Sequence, residues 1–345
     1  MKFHFDFPIK KMDYPIAHHH RILMMGSCFT ENIGQYLRNH SFQILENPNG
    51  ILFNPVSVTD AIQSYINKYR VKEEDLFQLN ETWHHWKFHS RYSGISKEDT
   101  LAKMNHSIDE AHHFLKTASY VVVTLGSSWV YELTDAACGI TGTVVANNHK
   151  APASWFNRKL LDADAVKALL LGLISSLQQF NPILKIIFTI SPVRHLREGV
   201  IENNRSKAVL IQSVHDLVNQ FDHLYYFPSY ELVIDDLRDY RFYAEDLVHP
   251  NYQATQYVWE KFVNACIDES SAQLFKTIRE IKLAYQHKPF NPSTQQHHQF
   301  LHKYASVTQR LLEQYPYLQL ETELDYFRKG VRNPEQEDSS ALLQD

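Results

Sequence analysis

Met24-Met25-Gly26-Ser27-Cys28-Phe29-Thr30-Glu31-Asn32 is the stretch from which the fold is read. The apolar run before it, 22–25, reads as a buried strand. Ile33-Gly34-Gln35-Tyr36-Leu37 after it reads as a helix entered through Thr30 as N-cap. A strand, a glycine turn and a helix leave Ser27 and Cys28 on the turn. There the unpaired N–H groups and macrodipole of the helix favour negative charge. A thiol so placed is expected to ionise more readily than a free one. Taken alone, the stretch fits a plainer account better, with Cys28 a small buried hydrophobe. The rest of the chain changes that balance.

Working outward, 1–21 reads as an irregular arm and 42–45 as a second strand. Asn47-Pro48-Asn49-Gly50 is rich in turn formers, and 56–69 has helical spacing at Val58, Ile62, Tyr65 and Ile66. The segment 71–97 is dense in aromatic residues and histidine, a strand pair or an extended insertion that either packs on itself or lines a pocket. A polar helix over 97–117 leads to Tyr120-Val121-Val122-Val123-Thr124-Leu125, β-branched and apolar on both faces. Gly126-Ser127-Ser128 ends it, and a loop-rich stretch runs to about Arg158. A helix capped by Asp162, a strand over 185–190, a helix over 203–221, a strand over 224–227 and a helix over 251–267 follow. From Ser270 the sequence is helical and polar, broken by Pro289, Pro292 and Pro316, with an acidic tail expected to be disordered after about Arg332.

Strands that are apolar throughout and alternate with helices predict a parallel α/β sheet covered on both faces, with its site at the carboxyl ends of the strands. Of only 10 glycines, three mark such turns, at Gly26, Gly50 and Gly126. Ser191-Pro192-Val193-Arg194-His195 and the loop from Asp246 to His249 also sit just past strands. The predicted division is 1–267 as the α/β domain, with its insertion near 71–97, and 268–345 as a helical extension.

Composition narrows the classes. The 345 residues carry a net charge of -5, which leaves no electrostatic footprint for nucleic acid. Three cysteines at unrelated spacings make neither a disulfide framework nor a metal-binding pattern, which points to a reducing, cytoplasmic setting. The N-terminus has no signal-peptide pattern, and no apolar run approaches the roughly 20 residues of a membrane helix. The 20 histidines are often adjacent, as at His84-His85 and His112-His113, and neighbours do not converge on a metal. They read as solvated or locally paired, and no metal or cofactor is expected.

Asp246 and His249 are spaced so that a carboxylate in a loop can hold an imidazole N–H, fixing its tautomer. Cys28 or Ser27 would then be the nucleophile, His249 the base and Asp246 the orienting group. Backbone N–H groups at Cys28 and Gly50, with Ser127 or Ser128 as a third donor, would make an oxyanion hole. Arg194, His195, Arg205 and Lys207 either hold an anionic part of a substrate or are solvated charges.

Gly-Ser-Cys-Phe followed by Glu-Asn-Ile-Gly resembles the signature of the GSCFA family, with Thr30 where the family name has alanine. The runs 47–55, 191–195 and 236–243 are similar to that family too, and the resemblance spans about 20–266. The GSCFA family in turn resembles the SGNH or GDSL hydrolases. That resemblance implies a three-layer flavodoxin-like fold, a nucleophile, two oxyanion blocks and a final Asp-x-x-His. It aligns Cys28, rather than Ser27, with the nucleophilic serine of that group. Its third block offers asparagine where this chain has Ser127-Ser128, so the donor is a serine or comes from elsewhere, such as Asn49 or Asn147; His89 is a further substrate-binding candidate.

The expectation is an esterase-like acyl hydrolase working through a covalent acyl-enzyme on a small-molecule, carbohydrate or lipid acyl substrate. Acyl transfer from the same intermediate is the first alternative. A non-catalytic carbohydrate- or partner-binding module on a decayed cleft is the second, with the aromatic segment 82–93 supplying stacking surfaces. A metal enzyme built on the histidines is a weaker third. The C-terminal helices are a candidate surface for homo-oligomer formation.

Overall fold

The computed structural model describes residue 5 and residues 7–331. Five strands form the central sheet: β1 (Arg21–Gly26), β2 (Gln43–Glu46), β5 (Tyr120–Leu125), β8 (Lys185–Ile190) and β9 (Leu224–Phe227). Their order is β2-β1-β5-β8-β9, which among these strands is the flavodoxin-like 2-1-3-4-5. The β1–β5, β5–β8 and β8–β9 pairs run parallel, Met24 facing Val122 and Thr124 facing Thr189.

Side chains alternate across this sheet because successive Cβ atoms point to opposite faces. Leu23, Met25, Val121, Val123, Ile186 and Phe188 enter one large core with Val58, Ile62, Met104, Leu170 and Leu210. Those partners lie on α2 (Pro55–Ile66), α3 (Lys97–Thr117), α4 (Ala163–Phe180) and α5 (Val200–Val218). Met24, Val122 and Ile187 face the other way, towards Phe29 and Ile33 of α1 (Cys28–Asn39) and Phe262 of α6 (Tyr252–Cys266). Burial on both faces is why these strands read as unbroken apolar runs.

The elements differ from expectation in a few places. The first helix starts at Cys28 rather than after Thr30, whose N–H donates to the Ser27 carbonyl at 2.9 Å. Asn54 caps α2, its Oδ1 accepting from the Ser57 N–H at 2.8 Å. The insertion contains a short hairpin, β3 (Phe77–Leu79) with β4 (Thr82–His84). The stretch taken as loop-rich holds two strands, β6 (Trp129–Leu133) and β7 (Phe156–Leu160), paired antiparallel. No short turn announces that pairing, because a long polar segment separates its strands. A π-helical turn, Leu232–Leu237, follows β9 and carried no sequence signal.

The aromatic segment packs on itself, and its Trp86 and Phe88 also line a cavity. Phe77 stacks on Trp86 with centroids 3.9 Å apart, and the Trp86 indole N–H donates to the Cys138 carbonyl at 2.7 Å. The histidines are not uniformly solvated either: burial lowers the pKa of His85 and His149 to about 4 each, so both are neutral packing groups.

Chain contacts divide the molecule into two compact units. One comprises Met1–Pro15, Arg21–Gly34 and Ile44–Cys266. The second joins Ile16–His20 and Gln35–Gln43 to the chain from Ile267 onward. Its helices α7 (Glu269–Gln286), α8 (Gln295–Gln314) and α9 (Glu321–Lys329) bury Ile278, Ile281, Leu301, Leu318, Leu320 and Phe327. The acidic tail lies outside the described residues. No helix among the described residues is long and apolar enough to cross a membrane.

Candidate active site

β1 ends at Gly26 with φ +137°, and a Cβ there would lie 2.1 Å from the Thr124 carbonyl oxygen, so only glycine fits the turn. Three hydrogen bonds hold it: Gly26 N–H to Asn47 Oδ1 (2.9 Å), Ser27 N–H to Thr124 O (3.1 Å) and Leu52 N–H to Gly26 O (2.9 Å). Ser27 is fully buried and its Oγ has no partner among the described residues. Cys28, the first residue of α1, is only half-buried. Of the two hydroxyl and thiol candidates, Cys28 is therefore the one a substrate can reach.

The environment does not make this thiol acidic. Burial pushes it up and the Glu31 carboxylate adds to that; the N–H groups of Cys28 and Phe29 and the Lys207 ammonium oppose them without overturning the balance. The expectation of a readily ionised thiol is corrected: burial and the Glu31 carboxylate favour the protonated form of Cys28.

The groups read as oxyanion donors are largely engaged. The Gly50 N–H donates to the Asn47 carbonyl at 2.7 Å and the Ser127 N–H to the Phe53 carbonyl at 3.0 Å. The Ser128 N–H donates to Ser206 Oγ (2.7 Å) and its hydroxyl to the Ser206 carbonyl (3.2 Å), while Ser127 Oγ lies 3.1 Å from Ser206 Oγ. Asn49 accepts from the Tyr65 hydroxyl (2.9 Å) and donates to the Lys87 carbonyl (3.2 Å). Asn147 accepts from the His149 N–H at 2.8 Å. His89 packs against Gly50, and its Nδ1 accepts from the Arg91 N–H at 3.2 Å. What remains at the turn are the N–H groups of Cys28 and Phe29, which favour negative charge there.

Asp246 and His249 do come together, His249 Nδ1 lying 2.6 Å from Asp246 Oδ2. Asp246 Oδ1 also accepts from the Val248 and His249 N–H groups at 2.9 and 3.0 Å, and Leu247 takes φ +57° to allow it. These bonds, led by that from the His249 backbone, hold the Asp246 carboxyl down at about 2. Both side chains are about half exposed. Arg194, just past β8, fixes this loop: its N–H donates to the Val248 carbonyl (3.3 Å), its guanidinium to the Leu247 carbonyl (3.1 Å), and its charge lies 4.3 Å from the Tyr243 ring centroid. It is a loop clamp rather than a free anion binder.

His195 sits deeper. A Cβ on Gly126 would lie 2.9 Å from His195 Nε2 and 3.5 Å from Ser27 Cβ, so this ring and the Ser27–Cys28 turn flank the same glycine. The His195 N–H donates to Asn203 Oδ1 at 2.9 Å, a partner that sequence reading did not single out. Burial, then Lys207, then His249 lower His195 to about 3, so it is neutral. Arg205 turns to the surface and pairs with Glu202 at 2.9 Å. Lys207 is neither solvated nor exposed; its Nζ donates to the carbonyls of Gly126 and Ser191, each at 2.6 Å. Ser206 and Asn203, on the same helix, carried no motif because their partners lie far away in the sequence.

A cavity of about 530 Å³ opens elsewhere, among Asp60, Gln63, Asn67, Trp86 and Phe88; of the expected site residues only Asn49 lines it. Among the described residues no group of three or more His, Cys, Asp or Glu is placed to hold a metal.

Solved structures of similar outline include a family 3 carbohydrate esterase of Clostridium thermocellum, 9% identical with TM-score 0.35, the match covering 75% of this chain and 98% of that one. A family 3 carbohydrate esterase from Talaromyces cellulolyticus is 8% identical with TM-score 0.34, over 76% of this chain and 99% of that one. The acetyl xylan esterase Est2A of Butyrivibrio proteoclasticus is 10% identical with TM-score 0.36, over 75% of this chain and 64% of that one. No curated protein matches the chain. The family models give the clearer result: that of the GSCFA domain protein, C-terminal domain, matches residues 278–333, and that of the GSCFA family matches residues 21–262. The chain belongs to the GSCFA family.

Proposed function

We propose that this protein is an acyl-ester hydrolase that forms a thioester on Cys28, with His249 as base and Asp246 as its orienting carboxylate. The observation that carries the reading is the 2.6 Å Asp246–His249 hydrogen bond, in a loop tied by Arg194 to the carboxyl end of β8. The turn bearing Cys28 lies at the carboxyl end of β1 in the same sheet. Sites of such sheets lie at that edge.

Because Cys28 rests as a thiol, the base has work to do. As Sγ attacks the acyl carbon, His249 takes the thiol proton, and Asp246, ionised at any ordinary pH, supports the imidazolium. The Cys28 and Phe29 N–H groups receive the charge on the tetrahedral oxygen. The ester C–O bond then breaks and His249 returns its proton to the departing alkoxide. In the second half His249 takes a proton from water, whose oxygen attacks the thioester, and Sγ leaves as thiolate to be reprotonated. An alcohol or amine acceptor in place of water gives acyl transfer by the same steps.

Trapping settles the reading. Incubation with an activated acetyl ester, followed by intact and peptide mass measurement, should place one acetyl group on Cys28 and none in Cys28→Ala. Turnover should fall in His249→Ala. Absence of the adduct together with unchanged turnover in Cys28→Ala would refute it. The engagement of Gly50, Asn49, Ser127 and Ser128 favours a second reading, a binding module without turnover. A panel of acyl esters and thioesters giving no product, with slow alkylation of Cys28, would support that instead.

A further inference from the structure

One side of α2 stays out of the core. Asp60, Gln63, Ser64 and Asn67 recur at helical spacing on the side opposite Val58, Ile62 and Tyr65, and they line the cavity of about 530 Å³. That volume lies within the ~300–1,000 Å³ of small-molecule sites. Trp86, Phe88 and Leu133 give the same cavity an apolar wall. Its charged groups are already matched. Asp60 pairs with Lys87 at 3.1 Å, and Glu74 with Lys72 at 3.3 Å. Asp75 Oδ2 accepts from the Tyr69 hydroxyl at 2.9 Å and the Lys72 N–H at 2.8 Å. The groups with capacity to spare are neutral. Neither the Gln63 nor the Asn67 side-chain amide has a partner among the described residues, and each can both donate and accept. His85 is neutral and its Nδ1 accepts from the Lys87 N–H at 3.0 Å, so the ring hydrogen is on Nε2. That N–H has no partner among the described residues either, on a side chain only 7% exposed that lines the cavity. A donor so placed calls for an acceptor.

We propose that this cavity binds a neutral pyranose ring, its hydroxyls on Gln63, Asn67 and the His85 Nε2–H and its C–H face on the Trp86 and Phe88 wall. A sugar hydroxyl donates once and accepts twice, which suits amides that do both and an imidazole N–H that only donates. A pyranose also has an apolar face, which an aromatic wall requires of its occupant. Charge argues against an anion: three carboxylates, Asp60, Glu74 and Asp75, line the cavity beside one ammonium, that of Lys87. A cation would have to displace a partner that each of those carboxylates already has. Cys28, Asp246 and His249 do not line this cavity, so the proposal is independent of the chemistry assigned to them.

The test is a titration of the full 15N-labelled chain with methyl β-glucoside, cellobiose, glucosamine and glucuronate, followed by NMR. The reporter is the Trp86 indole N–H, which donates to the Cys138 carbonyl at 2.7 Å and is picked out among the 5 tryptophans by Trp86→Phe. Both neutral sugars should move that resonance saturably, and the cationic glucosamine and anionic glucuronate should bind more weakly. Tighter binding of cellobiose than of the methyl glycoside would give the cavity to a glycan end, and equal binding to a free ring; each supports the proposal. Gln63→Leu and Asn67→Ala, whose side chains tie nothing together among the described residues, should each weaken neutral-sugar binding by about tenfold. Cys28→Ala should bind as wild type does. No saturable shift with either neutral sugar overturns the proposal, as does a preference for a charged one. Neutral-sugar binding that is unchanged in both amide variants, or lost in Cys28→Ala, also overturns it, because the sugar would then sit elsewhere.

Discussion

Replacing Lys207 by methionine should change how stability depends on pH, and the structure sets the size. The side chain is fully buried, and burial lowers its pKa from 10.5 to about 7. In the unfolded chain the amine stays protonated up to about 10.5, whereas in the native state it releases its proton near 7. Between those values folding expels a proton, so native stability rises with pH, and the penalty is fully present below the native value. The whole span corresponds to about 5 kcal/mol, and the part between pH 7 and pH 9 to about 2–3 kcal/mol. Urea unfolding of Cys28→Ala and Cys28→Ala/Lys207→Met at the two pH values isolates this lysine, because every other titrating group is common to both. The lysine-bearing protein should gain about 2–3 kcal/mol on the methionine variant between pH 7 and pH 9. The absolute offset is a separate matter: methionine leaves the Gly126 and Ser191 carbonyls without their donor, at about 1–3 kcal/mol each. Two stability curves that stay parallel from pH 7 to pH 9 would refute the reasoning, since they would mean that Lys207 is charged to the same degree folded and unfolded.

Asp246→Asn should lower kcat by about 10²–10⁴ with little change in melting temperature, because the carboxylate lies at the surface and acts on the His249 ring; steady-state kinetics beside thermal melts would check it. The acid limb of the kcat/KM profile should not report Asp246, which is held at about 2, and a limb that vanishes in the asparagine variant would contradict this. Arg194→Met should lower kcat while Cys28 alkylation proceeds at its normal rate, since the clamp holds the 246–249 loop and not the thiol. Gly126→Ala, whose Cβ would lie 2.9 Å from His195 Nε2, should displace that ring and reduce turnover, visible as a shift of the His195 resonances. Gly26→Ala, with φ +137° and a Cβ 2.1 Å from the Thr124 oxygen, should cost about 3 kcal/mol or more in chemical denaturation.

What the chain states for itself is the architecture. Strands such as Tyr120–Leu125 and Lys185–Ile190 are apolar at every position because both faces of a parallel sheet are covered, and that one-dimensional pattern needs no knowledge of partners. The glycine turns were legible for a related reason: Gly26 stands where backbone meets backbone, and the residue type records the constraint. Asp246 and His249 were legible because three residues in one loop suffice to join them. Everything that depends on charge in a solvent-free setting was decided by the tertiary structure. Cys28 sits at a helix N-terminus as its sequence says, yet burial and Glu31 outweigh the backbone N–H groups found there. Gly50, Ser127 and Ser128 look like donors until Asn47, Phe53 and Ser206 are seen to take their hydrogens. Lys207, read from the sequence as an anion holder or a solvated charge, is instead taken out of water by the fold and given two carbonyls in exchange, those of Gly126 and Ser191. Local pattern records which backbone conformations and which faces are required, whereas the ionisation of a group depends on neighbours that only the folded chain brings near.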